Sequence, residues 1–276
     1  MIKSALFLFL LLFPGEMCGQ DEDANSPCGR FERFVEKKAL ESIYAFSREI
    51  DPGFRPPSPI MREPFVASDG VNIVGYKIPC NNSGNGFILV AQGNAMRASD
   101  MLWLRWLQGL CGRHAAIYMF DYRGTGLSAG SPTAPLSRFI QDYREIFQTL
   151  SARYPRGAER NLYGISGGGV VLVNAVKTGY SRLVLDSTPD ILPVRCWHRH
   201  FRPSRQIPTN ARRIMIMAGK NDRKVALSRV APLIEVAEAR GAHIMKADLP
   251  HPDEDSQADT FMRFRYVLDF LNKDGH

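Results

Sequence analysis

A serine flanked by small residues, Gly164-Ile165-Ser166-Gly167-Gly168, stands between an apolar run and a helix-forming run. Such flanks let a strand turn sharply into a helix and leave the hydroxyl exposed. A serine hydroxyl is a weak nucleophile until a base takes its proton, and the base needs a carboxylate to hold its tautomer. Six histidines are available. His276 lies in the tail, His243 opens a strand-like stretch, His114 precedes one, and His198 and His200 sit in a basic connector. His251, in Leu249-Pro250-His251-Pro252, follows the last strand-like stretch and comes after the serine, as the order Ser…Asp…His requires. For the acid, Asp222 closes the stretch RIMIMAGKN and is the first choice, with Asp186 second; Asp253 and Asp255 read as solvated charges. The N–H of Gly167, at a helix start, would meet negative charge developing on a reacting carbonyl. Together these groups would carry acyl transfer. The bland alternative is a glycine-rich turn holding an ordinary serine.

The surrounding elements must put these residues on one edge. Residues 31–50 have helical spacing, a proline-rich connector follows, and 64–79 read as two strands around Ser68-Asp69-Gly70. From there strands alternate with helices. Strands are expected at 86–92, 115–120, 161–165, 182–185, 213–218 and 243–249. Helices are expected around Trp103 to Leu110, at 136–150, 167–177 and 226–240, and around Phe264 to Leu271. That alternation predicts an α/β fold, a mostly parallel sheet with helices on both faces and ligands at the carboxyl ends of its strands. Gly124-Thr125-Gly126-Leu127-Ser128-Ala129 fits a dinucleotide pattern, but Gly130, Pro132 and Pro135 forbid the helix that must follow directly. A loop is the better reading there, and a redox enzyme is disfavoured.

Four features together resemble the α/β-hydrolase superfamily. They are Gln92-Gly93-Asn94-Ala95 after one strand, the segment from Asp121 to Gly130 (DYRGTGLSAG) after the next, the serine turn, and the Asp and His placements. The resemblance covers residues 64–272 and is nearest to esterase- and peptidase-like hydrolases whose oxyanion segment reads His-Gly-Asn-Ala. It implies an α/β-hydrolase fold, a serine hydrolase needing no cofactor or metal, and an oxyanion hole formed by the N–H groups of Asn94 and Gly167. Gln92 stands where those relatives carry His, and prolines bracket His251 where a Gly usually precedes it. The substrate class expected is a small-molecule or lipid-like acyl ester, thioester or amide. A serine peptidase and a catalytically silent binding scaffold are the alternatives.

Composition narrows the class. The chain has 276 residues, 45% hydrophobic and 23% charged, with a net charge of +7. That suits one sizeable core and excludes a disordered or multi-span membrane chain. No five-residue basic block points to nucleic acid. The segment between the strands at 182–185 and 213–218 is too short for a cap domain, so a minimal lid is expected. It carries Arg195, Arg199, Arg202 and Arg205 interleaved with Trp197, Phe201 and Ile207, which would suit an anionic substrate or membrane surface. A solvated loop with Trp197 tucked against the body is the competing reading. Cys28, Cys80, Cys111 and Cys196 allow three disulfide pairings, which sequence leaves open, and Cys111 could equally be a buried thiol.

The first residues read as addressing. Lys3 precedes the apolar stretch 5–13, which Pro14 and Gly15 break, as in a secretory signal peptide. That stretch is far short of the roughly 20 residues a membrane span needs. The expected organisation is a signal at 1–19, a leader with a helix at 20–62 and a hydrolase domain at 63–276, in an exported protein. Asn81-Asn82-Ser83 is a glycosylation sequon if the pathway is eukaryotic. The mature amino terminus is expected near Gln20. Intact-mass measurement of secreted or periplasmic protein tests this, and retention of residues 1–19 in that fraction refutes it.

Overall fold

The Asp69-Gly70 turn, with φ of 81° at Gly70, folds β1 (Met61–Val66) back on β2 (Asn72–Pro79) as an antiparallel hairpin. A positive φ of this kind costs glycine little. These and the following elements come from a computed structural model that describes residues 27–44, 54–80, 84–94, 96–99 and 101–273. The signal-like stretch and the sequon lie outside the described residues. The central strands are β3 (Gly86–Ala91), β4 (Ala116–Phe120), β5 (Glu159–Ile165), β6 (Arg182–Asp186), β7 (Ile214–Gly219) and β8 (His243–Ala247). The sheet runs β1-β2-β4-β3-β5-β6-β7-β8. From β4 to β8 all neighbours are parallel, while β2 is antiparallel to both β1 and β4.

Alternation along the strands builds two cores. Phe87, Leu89 and Ala91 of β3 face one side with Leu162, Leu183, Leu185 and Ile216. Ile88 and Val90 face the other with Tyr163, Ile165, Val184 and Met217. Because side chains of a strand alternate in direction, every residue of β3, β4 and β7 is buried, as a sheet covered on both faces demands. The first core is covered by α1 (Arg30–Tyr44), α3 (Leu136–Ala152), α4 (Gly167–Ala175), α5 (Arg195–His200) and α6 (Leu227–Ala239). The second is covered by α2 (Met101–Leu107) and α7 (Gln257–Leu271). α7 begins at a capping box in which Ser256 and Asp259 satisfy each other's backbone N–H groups. Between β6 and β7 only the six-residue α5 and a 3₁₀ turn intervene, a minimal lid. No helix among the described residues is long and apolar enough to cross a membrane.

The helix expected at 31–50 is described as Arg30–Tyr44, and what remains of it lies outside the described residues. Three contacts strap α1 to the lid. Cys28 is disulfide-bonded to Cys196, Arg199 pairs with Glu32 at 2.9 Å, and the Trp197 indole N–H donates to Glu36 at 2.8 Å. The buried Glu36 carboxylate also accepts the Leu136 N–H at the start of α3. Cys111, which could have been a lone buried thiol, is bonded to Cys80. Peptide mapping without reductant should therefore recover the pairs 28–196 and 80–111. Replacing Cys80 and Cys111 together by Ser should cost about 2–4 kcal/mol in urea unfolding. Any other pairing in the map would refute this arrangement.

Candidate active site

Ser166 sits at the carboxyl end of β5 with φ 51° and ψ −119°, a conformation that L-residues avoid. Its N–H donates to the Asp186 carbonyl at 2.8 Å, and its own carbonyl accepts from Gly169 N–H at 3.1 Å. Added methyl groups show why the turn is built of glycine. A Cβ on Gly164 would strike the Gly169 backbone, and one on Gly168 would strike the Ala91 carbonyl. On Gly169 it would overlap Thr188. The expected elbow is present, although Ser166 itself is only 7% exposed, so its hydroxyl lies in a recess.

The loop after β3 lies against that serine. A Cβ on Gly93 would come within 3.1 Å of the Ser166 Cβ, and one on Gly167 would collide with the Asn94 side-chain oxygen. Gly93, Asn94, Ser166 and Gly167 are thus brought together. Gln92 is fully buried: its amide donates to the Phe120 carbonyl at 2.8 Å, and Tyr143 OH lies 3.1 Å from its Oε1. Tyr122 OH donates to the Gln92 carbonyl at 2.8 Å. The glutamine therefore anchors the loop through its amide. Asp121, at the end of β4, accepts from Ala98 N–H at 2.7 Å and Leu127 N–H at 3.4 Å. Burial pushes its carboxyl up to about 6 despite these donors and the contacts from Ser99. This carboxylate stitches the loop after β3 to the loop after β4, and a Cβ on Gly126 would collide with it.

His251 is buried and follows β8, and the chain around it is fixed from both sides. Pro250 offers its carbonyl to Arg263 at 2.7 Å, and the His251 carbonyl accepts Glu254 N–H at 2.8 Å in a 3₁₀ turn opened by Pro252. Its Nδ1 lies 2.5 Å from Asp253 Oδ1, and its Nε2 is buried with no hydrogen-bond partner. Asp253, read from the sequence as a solvated charge, is an exposed residue, yet its carboxylate faces the imidazole and also accepts from Lys224 at 2.6 Å. Burial works against its ionisation, but His251 and Lys224 outweigh that and hold the carboxyl at about 2.

Asp222 lies where expected, past β7. Its Oδ1 accepts the N–H groups of Lys224 at 2.9 Å and Val225 at 2.7 Å, while its Oδ2 is buried without a partner. Asn221 N–H donates to the Leu249 carbonyl at 3.2 Å, which sets the Asp222 turn beside the His251 loop. A cleft of about 640 Å³ opens there, lined by Lys220, Asn221, Asp222, Arg223, Pro250 and Glu254.

Asp186, the second choice for the acid, is otherwise engaged. It accepts from Arg263 at 2.7 Å and from Tyr163 OH at 2.8 Å, and both ends of the ion pair are fully buried. Arg263 also forks onto Asp255 at 2.6 and 2.9 Å, so Asp255, read from the sequence as a solvated charge, is instead a buried ion-pair partner. Burial alone would lower the guanidinium pKa, but the charge of Asp186 and the bonds to Asp255 raise it above its ordinary value. Sequence reasoning missed Arg263 because its partner is 77 residues away. Asp253 was within reach, since only Pro252 separates it from His251. His114 is buried at the opposite edge of the sheet with its Nε2 against Asn161 at 2.6 Å.

The lid arginines are largely engaged. Arg202 pairs with buried Asp190 at 2.6 Å, Arg199 with Glu32, and Arg205 donates to the Arg199 carbonyl at 2.7 Å. Arg195 is exposed, while Trp197 and Ile207 are buried. This is the tucked arrangement for Trp197, and the arginines do not form the loose cluster their spacing suggests.

Comparison with known proteins agrees with this architecture. The family described as serine aminopeptidase, S33, matches residues 102–188, less than half of the chain. The protein YfhR of Escherichia coli (strain K12) is 30% identical over 135 residues, which cover 45% of this chain and 45% of that relative. The chain thus aligns with less than half the length of that curated relative. Among solved structures, the esterase Pf2001 of Pyrococcus furiosus superposes with a TM-score of 0.62 at 17% identity, covering 80% of this chain and 98% of that one. A serine hydrolase without lid from Xanthomonas campestris gives 0.55 at 17%, covering 78% and 93%. The hydrolase GrgF from a Penicillium gives 0.59 at 15%, covering 77% and 98%. Their common element is the α/β-hydrolase fold.

Arg263 touches both the strand end that receives the Ser166 N–H and the loop that carries His251. Arg263→Met strands the Asp186 charge in the core and should cost about 3–5 kcal/mol in urea unfolding. A loss below about 1 kcal/mol would remove Arg263 from that role.

Proposed function

We propose that this chain, a member of the α/β-hydrolase superfamily, is a serine hydrolase that cleaves an acyl ester, thioester or amide through an acyl-enzyme. The observation that carries the reading is Ser166: a non-glycine residue held at positive φ between β5 and α4, beside the Gly93-Asn94 loop. Backbone strain of this kind costs on the order of 1–3 kcal/mol and persists where the surroundings enforce it.

In the proposed mechanism Ser166 Oγ attacks the carbonyl carbon of the substrate while His251 Nε2 takes its proton. The N–H groups of Asn94 and Gly167 stabilise the oxygen that becomes negative. The tetrahedral intermediate collapses, the leaving group departs with the proton from His251, and an acyl-serine remains. Water then repeats the sequence with His251 as base, releasing the acid and restoring the serine. Asp222, with one carboxylate oxygen unpartnered and its turn joined to the His251 loop through Asn221 and Leu249, is the acid of this mechanism. No step calls for a cofactor.

An esterase is the first reading, supported by the likeness of fold to an esterase. A serine peptidase is the second, favoured by the match to the aminopeptidase family over residues 102–188. An anionic substrate or membrane surface approaching the lid would meet exposed Arg195 and Arg205, because Arg199 and Arg202 already have carboxylate partners. Export by the N-terminal stretch is part of the same proposal, and two disulfides accord with an oxidising compartment.

A fluorophosphonate probe should label the wild-type protein, and Ser166→Ala should be folded, unlabelled and inactive on a short-chain p-nitrophenyl ester. Failure of folded wild type to label would overturn the nucleophile.

A further inference from the structure

His251 Nδ1 has one carboxylate partner, Asp253, while a second carboxylate, Asp222, belongs to the turn joined to the His251 loop by the Asn221–Leu249 bond. The ring nitrogen lies 2.5 Å from Asp253, whereas the unpartnered oxygen of Asp222 remains without a hydrogen bond. An imidazole nitrogen carries one proton and serves one strong acceptor at a time. Each end of Asp253 is engaged, with Oδ1 on His251 and Oδ2 on Lys224 Nζ at 2.6 Å. The brace belongs to the same turn as Asp222, since the Lys224 backbone N–H donates to Asp222 Oδ1 while its side chain reaches Asp253.

The local chain also fixes the pair. Pro252 has a ring-locked φ, and the Glu254 N–H to His251 carbonyl bond closes a single 3₁₀ turn. Asp253 is thus held two residues from the imidazole without a long side-chain search. Arg263 pins the other side through the Pro250 carbonyl. The charged groups around this turn are Asp222, Lys224, Glu254, Arg263 and Asp255.

We propose that Asp253, braced by Lys224, is the positioning residue that holds His251 by Nδ1 and fixes its tautomer, leaving Nε2 for the serine. Asp222 then contributes charge but not the orienting hydrogen bond. This deepens the reading of Ser166 and His251 as nucleophile and base, and rests on it.

The test compares Asp253→Asn, Lys224→Met and Asp222→Asn in the full chain, using a short-chain p-nitrophenyl ester and proton NMR of the imidazole N–H. Asp253→Asn should lower kcat by about 100-fold or more, because a wrong tautomer withholds general-base catalysis. Its KM should stay within about twofold, since substrate binding is untouched. The downfield Nδ1–H resonance should be lost in Asp253→Asn and kept in Asp222→Asn. Lys224→Met should lower kcat roughly tenfold by loosening the brace, and Asp253→Glu should recover part of the loss. If Asp253→Asn does not fold, Lys224→Met decides, and an unchanged kcat there overturns the proposal. It is also overturned if Asp253→Asn turns over like wild type, or if the resonance survives in it and vanishes in Asp222→Asn. Those outcomes leave the serine hydrolase intact provided fluorophosphonate still labels Ser166. Folded wild type that neither labels nor turns over overturns both.

Discussion

The arrangement of the site depends on one buried cation. Arg263 on α7 is fully buried, and moving a guanidinium out of water costs several kcal/mol unless its hydrogen bonds are replaced. Here every arm finds an acceptor: Asp186 at the end of β6, the Asp255 carboxylate and the Pro250 carbonyl. Asp186 also receives the Ser166 N–H on its backbone oxygen. A single side chain thus joins the strand end that supports the serine to the loop that presents the histidine. Geometry between two loops far apart in sequence is fixed by electrostatics in a dry interior, where charged hydrogen bonds are strong and directional.

The other half of the site is assembled by an amide and a carboxylate. Gln92 and Asp121 stand at the ends of β3 and β4, adjacent parallel strands, so their side chains reach across the sheet edge. Gln92 bonds the Phe120 carbonyl, and Asp121 collects N–H groups from two loops that have no ladder to satisfy them. Gln92 can hold the loop from both sides, since an amide both donates and accepts. The consequence reaches Ser166 through Gly93, which admits no side chain without crowding the serine Cβ.

The amino-terminal helix belongs to this machinery at one remove. Glu36 receives both the Trp197 indole and the Leu136 N–H, and Cys28 is bonded to Cys196. The short lid is therefore fastened by a covalent bond, a buried hydrogen bond and the Arg199–Glu32 pair. A lid held at three points has little freedom to act as a mobile cap. That accords with an architecture also found in a hydrolase without lid.

The sequence by itself determined what local rules control. Strand and helix order followed from apolar periodicity. The serine turn followed from glycines whose missing side chains are each needed, and the place of residue 251 after the last strand was likewise legible. Trp197, by contrast, lay in a basic stretch whose pattern resembles a surface loop, and only its partner 161 residues away shows why it is buried. The disulfide pairs, the bond from Arg263 to Asp186 across 77 residues and the acceptor chosen by His251 were likewise decided by tertiary structure. The physical reason is the range of the forces that encode each feature. Backbone turns and periodic burial act over a few residues and leave a pattern in the chain. Ion pairs and hydrogen bonds in the core depend on which strand ends the sheet brings side by side, and no spacing within the sequence records that.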